Sequence, residues 1–158
     1  FDMARFLLGE EIETVIASAS VLVDPKIGEL GDFDSANVIL TTASGKQCSI
    51  SNSRRATYGY DQRIEVHGSL GMIQAENHRP VSIEIATENG FTRPPLHNFF
   101  MTRYIEAYAA EIRSFITALV EDRPMTPDGR DGLMALRLAE ATLKSIENGE
   151  LVKVADAV

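Results

Sequence analysis

The sequence predicts an α+β fold: an open, mainly antiparallel sheet of about six strands with helices on one face, residues 1–158 forming a single domain. Three observations predict it. Apolar residues alternate at period two in several segments between residues 12 and 85, and these segments follow one another across short turns. Consecutive strands joined by short turns pair antiparallel, because a parallel pair needs a long crossover. Beyond Thr102 the apolar spacing changes to three and four residues, the helical period, in two segments separated by proline.

The elements follow in order. Phe1–Leu8 reads as a short helix, with Gly9 in the position of the glycine that closes one. In the next segment Val15, Ala17, Ala19, Val21 and Val23 share one face, and Ile12, Ile16 and Leu22 share the other with Thr14, Ser18 and Ser20. This long strand stops at Asp24-Pro25. ANVILTT and KQCSISNSRR flank the turn Ala43-Ser44-Gly45, and DQRIEVHG and MIQAE flank Gly68–Gly71, so two hairpins are expected. PVSIEIA alternates as a further strand before Glu88-Asn89-Gly90. In the first long helix Ile105, Tyr108, Ile112, Phe115 and Leu119 form the apolar face, with Thr102 as cap and Pro124 as stop. The second is expected to start at Thr126-Pro127, to bury Leu136, Ala139, Leu143 and Ile146, and to end at Asn148-Gly149. LVKV adds a final short strand. Small side chains along the first strand, with Ser49, Ser51 and Ser53, leave a flat, mildly polar second sheet face. Solvent or a second subunit could cover it.

Composition limits the function classes. The formal net charge is −8, which argues against nucleic acid or an anionic membrane as partner. No apolar run reaches the roughly 18 residues needed to span a bilayer. Cys48 is the single cysteine, so no internal disulfide forms, which suits a reducing cytoplasm. There is no G-x-G-x-x-G, no phosphate-binding loop and no G-x-S-x-G elbow. His67, His78 and His97 stand far apart without neighbours at metal-ligand spacing. One cluster, RRATYGYDQR, does carry chemistry: Tyr58 and Tyr60 beside Arg54, Arg55, Asp61 and Arg63. A tyrosine offers a flat apolar body and a hydroxyl that donates and accepts, which suits a polyol or sugar. The same pair also serves as strand-end packing. His97, after the stiff Pro94-Pro95 pair, reads either as a site residue or as a solvated loop histidine. Asp2 alone is a carboxylate at a helix N-terminus, favourable to the dipole.

Four stretches in order carry a resemblance: F-D-x-x-R-F-L-L-G at Phe1–Gly9, Y-G-Y-D-x-R-x-E-V-x-G-x-x-G at Tyr58–Gly71, R-Y-x-x-A-Y-x-x-E at Arg103–Glu111, and D-G-R-D-G-L-x-A-L-R-x-A-E-A at Asp128–Ala141. Together they resemble the C-terminal domain of the Gfo/Idh/MocA family of sugar and polyol oxidoreductases, and within it most of all the inositol 2-dehydrogenases. The resemblance implies an N-terminal Rossmann domain that binds NAD or NADP and is absent from this chain. It implies hydride transfer from a secondary alcohol of a polyol such as myo-inositol, and homodimers or homotetramers meeting through the sheet face.

The family's lysine, aspartate and histidine around the reacting carbon, together with its glycine loop, would then lie upstream of Phe1. No catalytic residue and no bound cofactor are expected in this chain alone. The resemblance makes Asp2 and Tyr60 substrate-binding positions and puts His97 near the pocket rim. Tyr108 would pack between sheet and helix or face the interdomain cleft. Two other functions remain open: a related enzyme acting on another sugar or polyol, and a noncatalytic, sheet-mediated dimerisation or ligand-binding module.

Overall fold

The computed structural model describes residues 1–157. In chain order the elements are α1 (Asp2–Leu8), β1 (Ile12–Ser20), α2 (Pro25–Glu29), β2 (Ser35–Thr42), β3 (Gln47–Ser53), β4 (Ile64–Gly68), β5 (Gly71–Ala75), β6 (Ile85–Thr87) and β7 (Gly90–Thr92). Then follow α3 (Phe100–Arg103), α4 (Ile105–Val120), α5 (Gly129–Asn148), β8 (Val152–Lys153) and a 3₁₀ turn at Val154–Asp156. The α+β class and the antiparallel pairing hold. The strands do not all share one sheet, however: four form the order β3-β2-β1-β8, and the rest form two separate hairpins, β4-β5 and β6-β7. The chain divides into two compact units, Phe1–Arg55 with the stretch from Thr126 onward, and Ala56–Met125.

In the first unit β1, β2 and β3 pair in register, Val15 opposite Leu40 and Leu40 opposite Cys48, Ala17 opposite Val38 and Val38 opposite Ile50. These residues face α5. Val15, Leu40 and Leu138 are fully buried, and burial of each such side chain is worth about 1.5–3 kcal/mol. Ile12 joins this core rather than the open face, because a register shift between Ile12 and Thr14 inverts the alternation.

The face α5 presents to the core is also different from the expected one. It buries Leu138, Ala141, Thr142 and Ser145, while Leu136 and Leu143 stand about half exposed. The reason is closeness. Small residues let the helix approach β1 until the Ser145 hydroxyl accepts from the Ala17 amide at 3.0 Å while donating to the Glu150 carbonyl at 2.6 Å. Asp128, not Thr126, caps this helix, in a reciprocal capping box with Asp131.

The other sheet face is open: Ile16 lies opposite Ile39 and Ile39 opposite Ser49, flanked by the row Ser18, Asn37, Ser51. Ile16 and Ile39 are 41% and 47% exposed, so the flat face has an apolar centre. β1 ends at Ser20 rather than at Pro25, so Val21 and Val23 lie beyond it. There the buried Asp34 carboxylate accepts from the amides of Leu22, Val23 and Asp24 at 2.8, 2.8 and 3.0 Å. Burial works against this charge, yet these amides and Ser35 hold Asp34 down at about 2.

In the second unit β4 and β5 meet across Ser69-Leu70, and β6 and β7 across Glu88-Asn89. Ile85 begins β6, so Val81 and Ile83 are not in a strand. Helix α4 follows the expected amphipathic pattern, but its apolar face is not covered. Ile112, Phe115 and Leu119 are about half exposed, and only Ala118 of this helix is buried. Two-stranded hairpins offer no sheet face wide enough for a 16-residue helix. Thr102 lies inside α3, and Tyr104 takes the cap position of α4.

Candidate functional site

The second unit gathers the tyrosine cluster. Gly59 has φ of 125°, and a Cβ there would sit 2.7 Å from the Leu96 Cβ, so only glycine lets the chain pass this close to the Pro94–His97 loop. The close approach is used at once, since the Tyr60 amide donates to the His97 carbonyl at 2.7 Å. Tyr60 and His97, both named from sequence, are thus joined through backbone, and both are half-buried.

The two tyrosines of Y-G-Y point into different polar networks. Tyr58 donates its hydroxyl to Asp61, which also takes the Arg63 guanidinium at 2.8 and 2.9 Å and the Asn77 amide at 2.6 Å. Arg63 first and Tyr58 next hold the Asp61 carboxyl down at about 2, with burial opposing. The bond to Asp61 pushes the Tyr58 phenol up, so it keeps its proton. Tyr58, Asp61, Arg63, Asn77, Arg79 and Arg93 line part of a cleft of about 530 Å³. Tyr60 instead meets Tyr104, edge to face with ring centroids 5.7 Å apart. Tyr104 donates to the Gln62 side-chain oxygen, and the Gln62 main-chain amide donates to the Asn77 side-chain oxygen at 2.7 Å. Tyr108 does not fill a sheet-to-helix interface: it is 43% exposed and lies against the edge of Tyr104 at 6.1 Å.

Asp2 lies in the first unit, at the start of α1. Its Oδ1 accepts from Arg5 Nη1 at 2.8 Å, and its side chain is 48% exposed. Arg5 is the hub of this corner. Its guanidinium is nearly buried and also forks onto Glu11 at 2.8 and 2.7 Å and reaches Asp131 at 3.1 Å. The Glu11 carboxyl is lowered, chiefly by Arg5. Asp131 is lowered by the Asp128 amide and then by Arg5. Asp2, Arg5, Phe6, Glu11 and Pro127 line part of a cleft of about 610 Å³.

Sequence reasoning passed over Arg5, Gln62 and Tyr104. The three-residue spacing of Asp2 and Arg5 on a helix signals that pair, whereas Glu11 and Asp131 reach Arg5 only through the tertiary fold. No group of three His, Cys, Asp or Glu side chains is placed to hold a metal among the described residues, and no helix is long and apolar enough to cross a membrane.

Comparison with known proteins places this arrangement. Residues 1–154 match the family model described as oxidoreductase family, C-terminal alpha/beta domain, of the Gfo/Idh/MocA group. The chain belongs to this family. An inositol 2-dehydrogenase of Rhizobium meliloti is 64% identical over 98% of the chain and 47% of its own length. A myo-inositol 2-dehydrogenase of Thermotoga maritima is 46% identical over the full chain and again 47% of its own length. The scyllo-inositol dehydrogenase of Lactobacillus casei, solved with NAD(H) and scyllo-inositol, superposes with a TM-score of 0.88 at 23% identity, over 98% of this chain and 46% of that one, and so shares the fold. This Gfo/Idh/MocA chain therefore spans about half the length of the relatives it matches.

Proposed function

We propose that the chain is the substrate-side and oligomerisation domain of an NAD-dependent inositol 2-dehydrogenase, its two units acting as one domain. The likeness to inositol 2-dehydrogenases along nearly the whole chain carries this reading, and the hydroxyl-rich cluster around Tyr60 supports it. NAD, when bound in the intact enzyme, accepts the hydride from the secondary alcohol carbon. This chain's residues do not fit that cofactor. Its positive-φ glycines, such as Gly9, Gly45 and Gly149, sit in turns and helix ends, and none belongs to a G-x-G-x-x-G cradle. The chain by itself is accordingly expected neither to bind NAD nor to oxidise inositol.

What these residues do is bind and orient. Tyr60 supplies a half-buried phenol on a backbone locked to His97. Asp2 is kept in place by Arg5 through one oxygen, leaving the second for a polyol hydroxyl. His97 borders the same loop as Tyr60. The open sheet face around Ile16 and Ile39 supports a homodimer or homotetramer, in a reducing cytoplasm. Tyr60→Phe in the full-length enzyme tests the assignment: KM for myo-inositol should rise or kcat fall by the worth of one hydrogen bond, about 0.5–1.5 kcal/mol. Unchanged kinetics would reject Tyr60 as a substrate ligand.

A further inference from the structure

We propose that the uncovered apolar face of α4 is the docking surface for the half of the polypeptide that this chain's relatives have and this chain does not. The proposal deepens the reading of the chain as the substrate side of an NAD-dependent dehydrogenase, and rests on it for what the docked half carries. Tyr108, Ile112, Phe115 and Leu119 recur at four, three and four residues. They therefore share one side of a helix about 24 Å long, with Ile105 and Ile116 at its border. All six are exposed. Glu106, Arg113, Ser114 and Thr117 lie on the opposite side. A helix patterned in this way draws most of its stability from burying the apolar stripe. Ala118, the one buried residue of α4, lies off that stripe.

Two observations choose the occupant. The first is length: this chain spans about half of the relatives it matches, so about as much polypeptide again stands outside it. The second is continuity with the tyrosine cluster. Tyr104, at the head of α4, lies edge-on to Tyr60 at 5.7 Å and to Tyr108 at 6.1 Å. A hydride passes only between groups in near contact, about 3–3.5 Å apart. A polyol held at Tyr60 therefore needs the nicotinamide brought to this end of α4, and the chain has no dinucleotide cradle of its own. The half that carries NAD must come up against the second unit here, and the stripe running on from Tyr108 is the apolar surface it meets. A second copy of this chain brings no nucleotide site, and the sheet face around Ile16 and Ile39 serves that contact.

Two measurements test this. The first is the rate at which iodoacetamide alkylates Ile112→Cys, read on the peptide that carries the new thiol. It should be fast in this chain alone and about 100-fold slower in the full-length enzyme, whatever the protein concentration. Equal rates overturn the proposal. So does a slow rate in the chain alone, which means that its own residues cover α4. Protection that fades as subunits dissociate on dilution assigns the face to a second copy and overturns it too. Leu119→Cys repeats the measurement if Ile112→Cys fails to fold. The second uses the full-length enzyme carrying Phe115→benzoylphenylalanine, photolysed in a mixture of isotopically heavy and light subunits. Cross-links should join α4 to peptides outside these 158 residues and within the same subunit. Cross-links between subunits, or only within these residues, overturn the proposal. Neither measurement needs turnover. A full-length protein that does not oxidise myo-inositol rejects the substrate reading, and the alkylation rates and cross-links still decide the docking surface.

Discussion

Replacing Arg5 by methionine removes one guanidinium from among three carboxylates while keeping an unbranched stem to fill most of its space. The Arg5 side chain is only 9% exposed, whereas Asp2, Glu11 and Asp131 are 48%, 46% and 29% exposed. Breaking a fully buried pair costs about 3–5 kcal/mol, and an exposed pair about 0.2–1. Here the cation is buried but the carboxylates can recover water, so Arg5→Met should cost about 2 kcal/mol. With a urea slope of about 1–3 kcal/mol/M, the unfolding midpoint should fall by roughly 1 M.

The pH dependence follows from Glu11 and Asp131, both lowered in the folded state. A lowered carboxyl contributes stability above its unfolded value, about 4.3 for Glu and 3.9 for Asp, and loses it as pH falls through the folded value. The gap between wild type and Arg5→Met should therefore be complete at neutral pH and shrink below about pH 4. Urea titrations of both proteins across that range measure it. A gap under about 0.5 kcal/mol at neutral pH, or one that does not change with acid, refutes the ion-pair hub.

Three further outcomes are expected. Asp34→Asn replaces a carboxylate that accepts from three backbone amides. Because Asp34 is held at about 2, its contribution is present above about pH 4 and lost toward pH 2, so the variant should melt lower than wild type at neutral pH and converge with it in acid. Gly59→Ala forces a Cβ to 2.7 Å from the Leu96 Cβ at φ of 125°, so the Tyr60 amide should exchange with deuterium faster; unchanged protection would contradict the close-approach argument. Ile39→Arg puts a charge in the centre of the open sheet face. Sedimentation should show a multiple of 17.3 kDa for the wild-type chain and a single chain for the variant. A wild-type monomer at high concentration rejects the sheet-face assembly.

Element types were legible because they depend on local spacing. The β2-β3 hairpin around Gly45 and the β4-β5 hairpin around Ser69-Leu70 need only alternation and turn residues, and the closing glycines Gly9 and Gly149 sit at left-handed positions that disfavour side chains. Packing faces were less legible. The large aliphatics of α5 suggested one buried stripe, but depth of approach to β1 selected the small stripe of Ala141 and Ser145. The parity of Ile12 depended on a bulge that alternation does not announce. For the candidate site, Tyr60 and His97 were visible as residue types, and their union across Gly59 was not.

By itself, then, the sequence determined the antiparallel strands, the two long helices, the acidic surface and the family, because each rests on patterns within a few residues or on motifs in fixed order. Only the tertiary structure decided which strands share a sheet, which helix face is buried and which polar groups meet. Arg5 reaches Asp131 across 126 positions, and Tyr104 reaches Gln62 across 42. Such contacts are set by where packed elements bring their side chains, and no local spacing encodes that distance.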